Sequence, residues 1–123
     1  VLERDKLGQF KLEGSNSMDW IILFIAGLFE MAWALFLKQS DGFSRPLPTV
    51  AFLVTLAISM ALLAYALKTL PVGTAYAIWT GIGAAGTAIV GILWLGESRE
   101  LLKLVSLVLL IGGIIGLRLA GGD

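Results

Sequence analysis

One ionisable side chain sits where such groups are scarce. Glu30 falls inside the apolar run Trp20 to Leu37, and at about 1.5 Å per helical residue it stands roughly 15 Å beyond Trp20. That depth is close to the middle of a hydrocarbon core about 30 Å thick. A carboxylate there costs on the order of several kcal/mol, so a chain keeps one where it faces protein or a water-filled cavity, most often to work there. Ala26 and Gly27 one turn before it, and Trp33 and Ala34 one turn after, share its helical face. The small residues leave room for a ligand, and Trp33 offers a π-face to a cation. A buried anion beside an aromatic ring makes a cation site. A second reading stays open at this point: a neutral carboxylic acid hydrogen-bonded between helices, with a packing role only.

The elements that must position Glu30 are membrane helices. Of the 123 residues 58% are hydrophobic, and the mean hydropathy is +0.91, outside the soluble globular range. Lys+Arg and Asp+Glu balance at nine each, so no net field points to nucleic acid. Cysteine and histidine are both absent. Their absence removes disulfides, thiol nucleophiles and His-based metal or acid–base sites, so neither an enzyme nor a metal centre is expected. No basic leader with a short apolar core is visible.

Residues 1–17 differ from the rest. They hold clustered charge and close on Gly14-Ser15-Asn16-Ser17, a linker-like composition that reads as an appended or disordered tail. Residues 18–123 form the transmembrane unit, with Met18 as a natural start and Asp19 placed to cap the first helix. Four helices are expected, at about 19–38, 49–67, 73–95 and 101–119. Asp41-Gly42 stops the first, and Pro46 and Pro48 fall in the loop that follows. Lys38 is a snorkelling lysine at the interface. In helix 2 the interior polar groups are Thr55 and Ser59. Ser59 either bonds back to its own i−4 carbonyl or donates to a carboxylate on a neighbouring helix.

Helix 3 places Tyr76, Trp79, Thr80 and Gly83 on one face, and Gly81, Gly83, Gly86 and Gly91 follow closely. Such glycines serve close packing, and their density also permits a bend. Helix 4 is almost purely aliphatic, with Gly112, Gly113 and Gly116 near one stripe. Gly112 and Gly116 have GxxxG spacing, which assigns this helix to assembly. Four crossings put both termini on one side. There, Lys68 and Arg118 face Lys38, Arg45, Arg99 and Lys103 on or near the other, a weak bias that suits insertion in both senses. Two copies inserted oppositely would form an inverted-topology pair with a second Glu30 at the midplane. Neighbouring carboxylates in low dielectric resist a double charge, so they hold protons and yield them to an arriving cation.

Three stretches carry a family resemblance: Gly27-x-x-Glu30-x-x-Trp33; Lys38 followed by Gly42-Phe43-x-Arg45; and the run Pro71 to Gly83 (Pro-Val-Gly-Thr-Ala-Tyr-Ala-Ile-Trp-Thr-Gly-Ile-Gly). From Met18 to about Leu119 the chain resembles the small multidrug resistance family. Gly73-Thr74, Thr80 and Ser59 make it similar to the guanidinium-exporter branch. The resemblance implies an all-α, four-helix protomer that works as an antiparallel dual-topology homodimer in the bacterial inner membrane. It would export guanidinium and small guanidinyl cations in exchange for protons, with no cofactor beyond the proton as coupling ion. It further implies that Glu30 is the shared proton and substrate ligand, flanked by Trp33, Ser59 and Trp79. Tyr76 would switch with alternating access, and Gly27 would pack beneath Glu30. The region of Gly81, Gly83 and Gly86 would bend, and Gly112, Gly113 and Gly116 would meet the second copy. The alternative inside the family is an exporter of quaternary-ammonium and lipophilic cations. The alternative outside transport is a membrane scaffold in which Glu30 only packs.

Overall fold

The computed structural model describes residues 2–4, 10–12 and 17–120. Its helices are α1 (Ser17–Gln39), α2 (Pro46–Ala66), α3 (Val72–Trp94) and α4 (Leu101–Leu119). At about 1.5 Å per residue they measure roughly 28–35 Å, enough to cross a hydrocarbon core about 30 Å thick. All four are also apolar enough to span. The protein is a multi-pass, helical membrane protein. Of the tail, β1 (Leu2–Arg4) and β2 (Phe10–Leu12) pair antiparallel, Leu2 opposite Leu12. Residues 1, 5–9 and 13–16 lie outside the described residues, as do 121–123, so the expectation of an appended or disordered tail is addressed only at those two strands.

The helix ends follow from local chemistry, with two corrections. The first concerns α1, which begins at Ser17, so Asp19 lies within the first turn instead of capping it. There it is buried, and a negative charge suits the positive end of the helix dipole. The second is that α2 begins at Pro46, ahead of the expected Thr49, and takes both loop prolines into its first turn. A first-turn residue has no intrahelical use for its N–H, so proline costs nothing there. The stop after α1 holds as expected. Asp41, Gly42 and Phe43 are all left-handed, at φ 49°, 70° and 69°. Ser40, wholly buried, donates its hydroxyl to Leu37 O (2.7 Å) and accepts the Phe43 N–H (3.2 Å). Past α3, left-handed Gly96 (φ 71°) turns the chain so that Glu97 N–H returns to Gly91 O at 3.0 Å.

The central element is α1, with α2 packed along one side and α3 along another; α2 and α3 scarcely meet. Among the described residues the α4 backbone comes close to α3 alone, Arg118 reaches over Trp20 of α1, and α4 buries no residue. The core is formed by Leu23 and Ala26 of α1, Leu63 and Ala66 of α2, Leu70, and Ala75, Ile78 and Trp79 of α3. It therefore sits toward the end of the bundle that carries the termini, and Glu30 lies just beyond it, near the middle of α1. α3 has the most buried positions of the four helices, and Thr74, Thr80 and Thr87 interrupt its apolar run. A helix shielded by protein needs less apolar surface than one facing lipid.

Candidate functional site

Glycines let α1 and α3 approach closely around Glu30. A Cβ added at Gly27 would come within 2.7 Å of Ile82, and one at Gly86 within 2.7 Å of the Met31 sulfur. Between these two contacts, a Cβ at Gly83 would overlap the Glu30 carboxylate itself. The two helices thus interlock: Ile82 seats on Gly27, Glu30 on Gly83 and Met31 on Gly86. Gly27, expected to pack beneath Glu30, lies one turn before it on α1, and its close neighbour is Ile82 of α3. The back wall of the carboxylate is Gly83, a residue that the sequence reading places on the face of Tyr76 and Trp79 and assigns to close packing or a bend. In the structure α3 is continuous helix through Gly81, Gly83 and Gly86, and what these glycines provide there is room. Thr87 returns its hydroxyl to Gly83 O at 2.6 Å, so the backbone behind the carboxylate carries a second acceptor bond. That contact was not foreseen, although a threonine four residues after a glycine is a visible signal for it.

The Glu30 side chain is 9% exposed, and its Oε1 has no hydrogen-bond partner among the described residues. The same holds for Trp33 Nε1, one turn further along α1. A buried acceptor and a buried donor on one helical face are therefore both unsatisfied among the described residues. Each leaves a desolvation cost of about 1–3 kcal/mol that a ligand or second chain would offset. The Trp33 ring packs edge-on against Phe52 of α2, centroids 5.9 Å apart, and Phe52 in turn meets Phe43 of the α1–α2 loop at 5.8 Å. No periodicity in helix 2 marks Phe52 as a partner of Trp33.

Ser59 resolves differently from both sequence readings. It is fully buried, but its hydroxyl bonds neither its own helix nor Glu30. Instead it donates to Ala26 O on α1 at 2.8 Å and accepts Trp79 Nε1–H at 3.0 Å. Ala26 stands four residues before Glu30, so its carbonyl is the one the Glu30 N–H reaches in a regular α-helix. One hydroxyl thereby ties three helices together at the turn beneath the carboxylate. Thr55, the other interior hydroxyl of α2, does bond back to Ala51 O (2.8 Å), which is where the default reading applies.

The expected stripe of α3 is split. Trp79 and Gly83 are buried, while Tyr76 is 54% exposed and Thr80 also faces outward. Tyr76 leans on the Trp79 ring, centroids 5.4 Å apart. The structure thus brings Glu30, Gly27, Gly83, Ser59 and Trp79 into one buried region and leaves Tyr76 at its rim. Gly112, Gly113 and Gly116 lie apart from it, exposed on α4, where an added Cβ would meet nothing within 4 Å.

A family model described as Small Multidrug Resistance protein matches residues 18–110. A protein of Yersinia pseudotuberculosis named Guanidinium exporter is 62% identical over 103 residues, covering 84% of this chain and 99% of that protein. Proteins of the same name from Salmonella typhimurium and Escherichia coli (strain K12) are 61% and 59% identical over the same length, covering 98% of each.

Proposed function

The chain belongs to the small multidrug resistance family, and from that premise we propose that it exports guanidinium and small guanidinyl cations in exchange for protons. The observation that carries this reading is the buried, unpartnered oxygen of Glu30, one turn from the unpartnered Trp33 Nε1. Guanidinium is planar and weakly hydrated, and it meets a carboxylate through two parallel N–H···O bonds. Gly83 leaves the carboxylate backed by peptide instead of a side chain, and the aromatic rings of Trp33 and Trp79 offer faces to the cation. A quaternary ammonium would use none of those hydrogen bonds. The names of the relatives point the same way.

Proton and cation compete for one carboxylate, and that competition couples them. Protonated Glu30 releases the cation, and an arriving cation displaces the proton. The working unit is an antiparallel homodimer in the bacterial inner membrane, formed by copies inserted in opposite senses, which supplies two Glu30 carboxylates and an inverted-repeat pathway. The near balance of Lys68 and Arg118 against Lys38, Arg45, Arg99 and Lys103 supports insertion both ways. In this unit Tyr76, at the rim, moves as access alternates, α3 flexes at Gly81, Gly83 and Gly86, and Gly112, Gly113 and Gly116 meet the second copy.

The test is guanidinium-driven proton movement in liposomes holding the purified protein. Proton efflux from the lumen should follow inward guanidinium and vanish in Glu30→Gln, and guanidinium affinity should weaken as pH falls. Affinity independent of pH across the acidic range, or a fully active Glu30→Gln, would overturn the exchange.

A further inference from the structure

Because the α4 backbone comes close to α3 but not to α1, the flank of α1 that faces it is left open, and a groove of about 700 Å³ runs between α1, α3 and α4. Its walls are apolar and include Phe24, Leu28, Ile82 and Ile115. One end differs. Ser17, Trp20 and Arg118 line it, and the Arg118 guanidinium carbon lies 4.4 Å from the centroid of the Trp20 ring.

We infer that this groove binds an anionic phospholipid, one acyl chain along the apolar walls and the phosphate on Arg118. Its depth identifies the occupant. On α1 the lining runs from Ser17 to Leu28, about 16 Å of helix, which is about half of a hydrocarbon core roughly 30 Å thick. The groove is therefore one leaflet deep, as a single lipid is, whereas a helix from a second copy would continue through both leaflets. On α4 the lining runs from Ile111 to Leu119, the terminal half of that helix, and on α3 from Ile78 to Gly86, ending about a turn past that helix's midpoint. Its polar end lies at the membrane interface, where tryptophan and arginine are favoured. The cation–π contact with Trp20 holds the guanidinium in place without consuming its N–H donors, and those donors fit a phosphate in a forked geometry. Asp19, the nearby acid, is buried and does not line the groove, so among the described residues the charged group at the mouth is Arg118. This inference is independent of the transport reading, since the groove shares only Ile82 and Gly86 with the seam around Glu30 and includes neither Glu30 nor Trp33.

The experiment uses the full chain in nanodiscs of phosphatidylcholine containing a small fraction of phosphatidylglycerol with a photoreactive group midway along one acyl chain. After illumination, labelled peptides are mapped by mass spectrometry. Label should concentrate on Leu28, Ile82 and Ile115 and fall about fivefold in Arg118→Gln, the worth of one basic residue at an anionic surface. Lys103→Gln, at the opposite interface, should leave it unchanged. Ile115→Trp, which fills the groove but keeps Arg118, should also reduce it. Label spread evenly over the lipid-facing helices, or unaffected by Arg118→Gln, would overturn the inference. So would equal labelling by a photoreactive phosphatidylcholine, or crosslinks from a photoreactive residue at position 115 to a second copy.

Discussion

In α3, a Cβ at Gly81 would come within 2.9 Å of Ile114, one at Gly86 within 2.7 Å of Met31, and one at Gly83 would overlap the Glu30 carboxylate. In α4, a Cβ at Gly112, Gly113 or Gly116 would meet nothing within 4 Å. The two helices carry glycine at similar density in similarly apolar surroundings, yet one set is already used inside the protomer and the other is not. Helix packing in a membrane relies on close backbone approach because lipid tails are as apolar as leucine. The glycines of α3 make a seam that the protomer completes. Those of α4 lie along a seam that needs another surface, in keeping with the homodimer proposed above.

Substitutions test this contrast, and the largest effect is expected at Gly83. Overpacking costs about 1–3 kcal/mol, and in Gly83→Ala the group displaced is the ion-binding carboxylate. Guanidinium affinity, by titration calorimetry in detergent, should fall roughly ten- to a hundredfold. Unchanged affinity would break the contrast at its strongest point.

Ser59→Ala comes next. It leaves Trp79 Nε1–H buried without its acceptor, at a cost of about 1–3 kcal/mol. Because the hydroxyl secures Ala26 O and not Glu30 itself, the melting temperature should drop, and affinities for guanidinium and a tetraalkylammonium should weaken together. Selective loss of guanidinium alone would instead mean that the hydroxyl leaves Ala26 to contact the ion.

Gly86→Ala should cost less than Gly83→Ala, about 1 kcal/mol or below, because the neighbour is the flexible end of Met31. Measured by thermal unfolding, it separates crowding of a movable side chain from crowding of the site. The smallest effect on the protomer is expected for Gly112→Ala, within about 1 kcal/mol and of either sign, since alanine is the better helix former. Energy transfer between labelled copies should nonetheless decrease at a given protein-to-lipid ratio. A protomer destabilised as strongly as by Gly83→Ala would show that α4 is packed internally after all.

The amino-acid sequence alone determined the four apolar helices, the place of Glu30 near the middle of the first, and the Asp41-Gly42 stop, because each depends on a local property of the chain: the length of an apolar run, the count of residues along it, the left-handed backbone. The α2 boundary was misjudged only because prolines read as loop are also at home in a first turn. Sequence also picked out Glu30, Gly27, Ser59 and Trp79, since polar, aromatic and small residues stand out against an aliphatic background. What tertiary structure decided is who meets whom. Ser59 reaches Ala26 O and Trp79, Gly83 backs Glu30, Trp33 meets Phe52, and Tyr76 stays at the rim. Those pairings depend on the rotation and crossing of each helix. In a soluble protein the polar face would reveal that rotation, but here lipid-facing and protein-facing positions are both apolar, so the one-dimensional pattern carries little record of it.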